Sequence, residues 1–258
     1  MIERRQFLIG AAGATLLAAA PGLAAPRASF GGQRLRGEVE ALERRSRGRL
    51  GVAVIDTGTR RAFSYRGDER FPLCSTFKFL LAADLLARAD RGTLRLDRRL
   101  PIAATHLPNS DFTRSRVGRD ASLAELARAI IEISDNDAAN LLLAEMGGAD
   151  AFNRFARAIG DPVTRLDGAE PVTDAPGEVR DTTSPAAMAE DFERILLGNL
   201  LKPASRATLT GWLVAAQTGP AASRPACPPA GASPTRPAPA CTAPRTTSGS
   251  SVRPTGRP

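Results

Sequence analysis

Cys74-Ser75-Thr76-Phe77-Lys78 opens an apolar run that goes on through Leu80, Leu81, Leu85 and Leu86 and stops at Gly92. That spacing predicts a helix from about Ser75 to Arg91, with the glycine as its terminator. Residues three apart share a helix face, so the Lys78 amine comes within hydrogen-bond reach of the Ser75 hydroxyl. A serine hydroxyl is a weak nucleophile at neutral pH and needs such a base beside it. Ser-x-x-Lys is a common tetrapeptide, so its meaning depends on what accompanies it.

Upstream, Arg36 to Arg45 reads as an amphipathic helix around Val39 and Leu42. Leu50 to Ile55 and Arg60 to Tyr65 read as two strands of a hairpin turned at Asp56-Thr57-Gly58-Thr59. Downstream, helices are expected over 122–133, 136–147, 150–159, 185–198 and 204–217. Asp161 to Thr183 reads as a long loop, and loops of that length in a compact domain usually carry function. A lone hairpin is marginal in water, and the remaining place for more strands is the C-terminal stretch. Half of the chain's 20 prolines fall within 220–258, too closely spaced for a strand ladder. This stretch reads as low-complexity and disordered.

The formal charge of +8 suggests nucleic acid, but its distribution does not. Residues 220–258 hold five arginines and no acidic residue, and residues 1–27 carry Arg4, Arg5 and Arg27 against Glu3. The body is therefore close to neutral, with no basic face to track phosphates. Arg4-Arg5 before the apolar run Phe7 to Ala20 reads as an export signal over 1–27 of twin-arginine type; an uncleaved anchor is the alternative. Export would permit disulfides, yet Cys227 and Cys241 lie in the tail, and Cys74 is expected to be a small buried thiol. One histidine, His106, argues against a zinc hydrolase and leaves a Ser-His-Asp triad without its Gly-x-Ser-x-Gly turn. It reads as an exposed or capping residue.

Two further clusters carry polar chemistry. Ser134-Asp135-Asn136 falls between two helices, where a serine can relay a proton and an asparagine amide can hold a ligand carbonyl or amide. The same residue types cap helices, and both readings stand at this point. Glu170-Pro171 sits in the long loop between Arg165-Leu166-Asp167 and Arg180-Asp181-Thr182-Thr183. A glutamate there is either a general base for water or a solvated carboxylate.

Taken together and in this order, Ser75/Lys78, Ser134/Asp135/Asn136, Glu170 and the Arg180–Thr183 segment resemble the class A serine β-lactamases over roughly residues 35 to 219. Trp212 in a late helix followed by Thr218-Gly219 agrees. The resemblance implies an α/β (α+β) fold of the β-lactamase/transpeptidase type, a helical lobe plus an antiparallel sheet, in an incomplete domain over 28–219. It implies Ser75 as acylation nucleophile, Lys78 as base with or without Glu170 through a water, and Ser134 as proton donor to the lactam nitrogen. Glu170 would activate the deacylating water, and the Ser75 N–H would supply one oxyanion donor. Asn136 would bind the substrate's side-chain amide, with Arg165, Asp167 and Asp181 holding the loop. It further implies a small β-lactam substrate, no cofactor or metal, no nucleic-acid partner, no lasting membrane insertion, and an exported, periplasmic or secreted monomer. Penicillin-binding peptidases share the Ser-x-x-Lys and Ser-x-Asn elements, but Glu170 separates the two.

The chain departs from the family in places. Four residues, not the usual six, separate Glu170-Pro171 from Pro176-Gly177, leaving Thr173 or Asp174 to stand in for a water-holding asparagine. Gly168 replaces an arginine that pairs with the carboxylate matching Asp181, and an aromatic wall near Asn109-Ser110 is missing. Above all, no Lys-Thr-Gly strand follows the last helix, since Gln217-Thr218-Gly219 lacks the lysine. Read one base earlier, codons from Ala222 can encode Asp-Lys-Thr-Gly-Thr-Gly at Thr235–Ala240, if Arg236 uses an AG-type codon. A frameshift near Gly219–Ala222 is therefore expected, with an impaired or inactive product in the present frame.

Overall fold

The computed structural model describes residues 29–104, 107–172, 177 and 179–217. In chain order these form α1 (Gly32–Ser46), β1 (Val52–Asp56), β2 (Arg61–Tyr65), β3 (Phe71–Pro72), a 3-10 turn (Cys74–Thr76) and α2 (Phe77–Asp90). There follow β4 (Arg99–Pro101), α3 (Asp111–Arg114), β5 (Asp120–Ser122), α4 (Leu123–Glu132), α5 (Asn136–Glu145) and α6 (Gly148–Ala158). β6 (Thr182–Thr183), α7 (Pro185–Leu196) and α8 (Pro203–Val214) complete the described part.

The helix read from the opening motif is the centre of the molecule. Every residue of α2 from Phe77 to Ala87 is buried, which requires apolar side chains nearly all round. Its two polar exceptions are partnered: Asp84 receives both arms of Arg88 at 2.7 and 3.1 Å, and Lys78 belongs to the site below. α4, α5, α6 and α8 enclose it, with Leu126, Ile130, Leu142, Phe152 and Leu209 in one continuous core. Phe77 meets Phe152 edge-to-face at 6.2 Å between centroids. The helix ends before Gly92, whose φ of +73° is left-handed and admits glycine without the Cβ penalty. α4 begins on a capping box, Ser122 and Glu125 each bonding the other's backbone N–H.

The hairpin forms in the expected register, from Val52 opposite Tyr65 to Asp56 opposite Arg61. The Asp56 carboxylate closes its turn by accepting from the Gly58 and Thr59 N–H groups. Packing overcomes the instability of an isolated pair. Val39 of α1 joins Phe63 and Tyr65 in a second small core, flanked by Phe30, Leu35, Leu50 and Val52. At the strand entry, a Cβ on Gly51 would lie 2.5 Å from Phe71 and 2.7 Å from Pro185. Only a glycine allows the chain so close to the start of α7.

Two short ladders went unread in the sequence. β3 pairs with β6 (Phe71 with Thr183, Pro72 with Thr182), and β4 pairs with β5. Each has two or three residues, too few for alternation to show. The first ladder matters functionally, because it ties the chain just before Ser75 to the end of the 161–183 loop. α3, one turn long, was also unread. Cys74 corrects an expectation: it is exposed rather than buried, because the 3-10 turn aims it away from the α2 core, with φ at +42°. The export signal, His106, Thr173 and Asp174, and the 220–258 tail lie outside the described residues. Among the described residues no helix is long and apolar enough to cross a membrane.

Candidate active site

The polar centre is built around one amine. The 3-10 turn places Ser75 one turn before Lys78, and Lys78 Nζ reaches Ser75 Oγ at 3.2 Å. The same nitrogen lies 3.1 Å from Ser134 Oγ, 2.9 Å from the Ser134 carbonyl, 2.5 Å from Asn136 Oδ1 and 3.1 Å from Glu170 Oε1. Ser134 Oγ in turn donates to Ser75 Oγ at 2.9 Å. Three elements far apart in sequence therefore converge on Lys78: the α2 entrance, the α4–α5 junction and the long loop.

The junction serves as both cap and site. Asp135 is the N-cap of α5, accepting from the Ala138 N–H at 2.9 Å. It also takes the Thr113 hydroxyl at 3.0 Å and the Thr113 N–H at 3.1 Å, binding α3 to α5. With Asp135 buried as the cap, its two neighbours turn toward Lys78. Ser134 does so in a left-handed conformation, φ +59°, unusual for a residue with a Cβ. Asn136 is steadied by Nδ2 donating to the Pro108 carbonyl at 2.9 Å, which leaves one amide hydrogen to offer.

Burial sets the electrostatics. The Lys78 and Glu170 side chains are 2% and 8% exposed. Desolvation pushes the Lys78 ammonium below the ordinary lysine range, and the Glu170 charge returns only part of that shift. An ammonium also has only three hydrogens for the five oxygens around it. Burial thus favours loss of a proton from this amine, while the surrounding acceptor oxygens favour keeping it.

Glu170 is fixed through its backbone. Asn140 Nδ2 donates to the Glu170 carbonyl at 3.1 Å, and the Glu170 N–H donates to Asn140 Oδ1 at 2.7 Å. The Glu170–Pro171 peptide is cis. Further back, Asn153 holds Leu166 by the same two-way bond, at 2.6 and 2.9 Å. Asp167 accepts from Arg165 at 2.8 Å (Nε to Oδ2) and 2.5 Å (Nη2 to Oδ1), and its N–H donates to Asp181 Oδ1 at 2.7 Å. The arginine absent at Gly168 thus leaves Asp181 with a backbone tether to Asp167. The Asp181 carbonyl accepts from Leu73 N–H at 2.7 Å, carrying the loop to the nucleophile's turn.

A model of the beta-lactamase enzyme family matches residues 34–229. Beta-lactamase L2 of Stenotrophomonas maltophilia is 44% identical over 235 residues, covering 87% of this chain and 78% of the relative. A beta-lactamase of Streptomyces fradiae is 42% identical, covering 82% and 72%. A solved ancestral class A beta-lactamase superposes with a TM-score of 0.71 at 54% identity, over 73% of this chain and 74% of that one. A beta lactamase from Xanthomonas campestris does so at 46% identity with the same TM-score.

The chain belongs to the class A β-lactamase family. As a β-lactamase fold it has the α/β character expected of it, a helical lobe beside small antiparallel sheets. The site of this β-lactamase also uses residues that the sequence reading missed. Asn140 sits four residues after Asn136 on α5, so helical spacing alone puts both amides on one face. Asn153 and Thr113 carry no such signal, because Asn153 bonds the Leu166 main chain and Thr113 bonds the carboxylate of Asp135, 22 residues away.

Proposed function

We propose that this protein hydrolyses β-lactams through a serine acyl-enzyme. Ser75 Oγ attacks the lactam carbonyl carbon while Lys78 takes the hydroxyl proton, directly or with Glu170 through a water. The ring C–N bond then breaks, and Ser134 passes a proton to the departing nitrogen. In the second half, Glu170 takes a proton from a water that attacks the Ser75 ester, releasing the ring-opened acid and restoring the serine. Asn136 offers its remaining amide hydrogen to the substrate's side-chain carbonyl, and the Ser75 N–H supplies one oxyanion donor. Arg165, Asp167 and Asp181 hold the loop that presents Glu170.

The observation that carries this reading is the contact of Lys78 Nζ with Ser75 Oγ on one side and Glu170 Oε1 on the other. Glu170 also argues against a penicillin-binding peptidase, whose stable acyl-enzyme needs no base for water. Nitrocefin separates the two: turnover supports the lactamase, and a stoichiometric adduct that persists overturns it in favour of the peptidase.

The chain as written is a slow or inactive member, because no Lys-Thr-Gly segment stands in frame after α8 to bind the substrate carboxylate. A single-base slip near codons 219–222 accounts for the hidden codons of that segment in residues 222–258. Resequencing the 3′ end tests the slip, and efficient penicillin hydrolysis by protein bearing the literal tail would overturn the impairment. The same reading makes residues 1–27 an export signal, 28–219 the lactamase domain, and the product a periplasmic or secreted monomer needing no cofactor.

A further inference from the structure

Asp161, at the start of the loop, and Asp191, on α7, are almost fully buried, at 1% and 0% exposure. They lie within hydrogen-bonding reach of each other. Their inner oxygens are satisfied: Asp161 Oδ1 accepts the Val163 and Thr164 N–H groups at 2.7 and 3.0 Å, and Asp191 Oδ1 accepts Arg194 at 3.0 Å. Their outer oxygens, Asp161 Oδ2 and Asp191 Oδ2, are both buried with no donor. Two ionised carboxylates cannot occupy such a place together, and one proton between them would satisfy both orphaned oxygens.

We propose that Asp161 and Asp191 share one proton, and that this bridge fixes the base of the Glu170 loop to α7. Asp161 starts the loop, which closes a few residues on through Thr164 Oγ1 on Thr183 Oγ1 at 2.6 Å and the Arg165–Thr182 backbone pair. Asp191 lies in the second turn of the helix that follows. The charged neighbours cannot replace the proton. Arg194 divides its guanidinium between Asp191 and Glu190. Arg157 of α6 stands 3.9 Å from Asp161 Oδ1 and donates to the Asp161 and Thr164 carbonyls. Burial, then the Asp161 charge, push the Asp191 carboxyl up to about 8, Arg194 offsetting part of it. For Asp161 burial also pushes upward, but the Thr164 hydroxyl and the Thr164 and Val163 N–H groups outweigh it and hold that carboxyl below its ordinary range.

The two residues are positioning residues for Glu170 only if Glu170 is the base proposed above; the shared proton stands without that reading and is measured without substrate. Its sign follows from linkage. The fold keeps a proton that the unfolded chain, with an ordinary Asp near pH 3.9, has lost, so stability falls as pH rises from about 4 to about 8 and then levels. One linked proton makes the unfolding equilibrium constant rise about tenfold per pH unit in that window.

The test is urea unfolding of the full chain between pH 5.5 and 9.5, followed by Trp212 fluorescence, for the parent and Asp191→Asn. The carboxamide donates to Asp161 Oδ2 with no proton to lose, so D191N is expected to lack the tenfold-per-unit component and to outlast the parent at pH 9. The difference between the two cancels titration of His106 and the other carboxylates. In the parent, infrared spectra should also show a protonated carboxyl band at pH 7 that disappears above pH 9. Parallel pH profiles for the two proteins, no such band at pH 7, or no cooperative transition in the parent at pH 6 would each overturn the proposal.

Discussion

Asn140 holds Glu170 by both of its backbone groups, the amide nitrogen giving to the carbonyl at 3.1 Å and the amide oxygen receiving the N–H at 2.7 Å. The main chain of Glu170 is thereby tied to a helix, while its carboxylate also accepts the Val172 N–H of its own loop at 3.3 Å. Truncating the clamp in Asn140→Ala leaves two half-buried main-chain groups without partners, a loss of roughly 2 kcal/mol at about 1 per hydrogen bond. The effect should fall on deacylation more than acylation, since Ser75 stands on the 3-10 turn and Lys78 on α2, away from the clamp. Mass spectrometry after mixing with a penicillin should find acyl-enzyme accumulating in the variant; equal slowing of both steps would contradict this.

Replacing Glu170 with Gln keeps the volume and removes the proposed base for water. Loss of a positioned general base costs about 10²- to 10⁴-fold, here in the second half-reaction. Ser75→Ala, by contrast, should yield no covalent adduct at all. An adduct that forms on Ser75 in E170Q and persists through desalting is the expected signature.

The pH dependence of acylation carries a sign that Glu170 controls. Burial lowers the Lys78 pKa and the Glu170 charge opposes that lowering. Acylation by a neutral amine rises with pH as Lys78 loses its proton. Removing the opposing charge lets the amine deprotonate more readily still, so the acid limb should move to lower pH in E170Q. Stopped-flow acylation rates across pH 5–9 read this directly, and a limb that stays put would place the base elsewhere.

Asp135 is a structural test of the same junction. It is 0% exposed and accepts three hydrogen bonds, two from Thr113 and one from the Ala138 N–H. Bonds to a buried charge contribute about 1.5–3 kcal/mol and a lost N-cap about 0.5–2. Asp135→Ala should therefore cost roughly 3–5 kcal/mol, enough to lower the urea midpoint sharply. Asp135→Asn, which keeps an acceptor oxygen, should recover part of that loss.

What the sequence made legible divides along physical lines. α2, α4 and α7 announce themselves through apolar spacing and caps, and the hairpin through its Asp-Thr-Gly-Thr turn. Ser75, Lys78, Ser134, Asn136 and Glu170 were found because their types are few and their order is distinctive, and the fold does bring them onto one amine. The β3–β6 ladder was beyond reach because two residues per strand leave no pattern. Asn140 and Asn153 were overlooked for another reason: each acts on main chain, which has no letter in a sequence. Cys74 departs from the expectation drawn from how most free cysteines behave, because the 3-10 turn leaves the residue before the serine exposed.

Ser134 faces Lys78 with its hydroxyl and its main-chain carbonyl at once, at 3.1 and 2.9 Å. Its left-handed backbone is the reason both oxygens look the same way. The carbonyl belongs to whatever residue occupies the position, so a glycine there would keep the amine suspended where it is while deleting the route for its proton. The placing of the lysine and the proposed proton relay are thus encoded separately at this residue, and a glycine at 134 tests the relay with the lysine still in place.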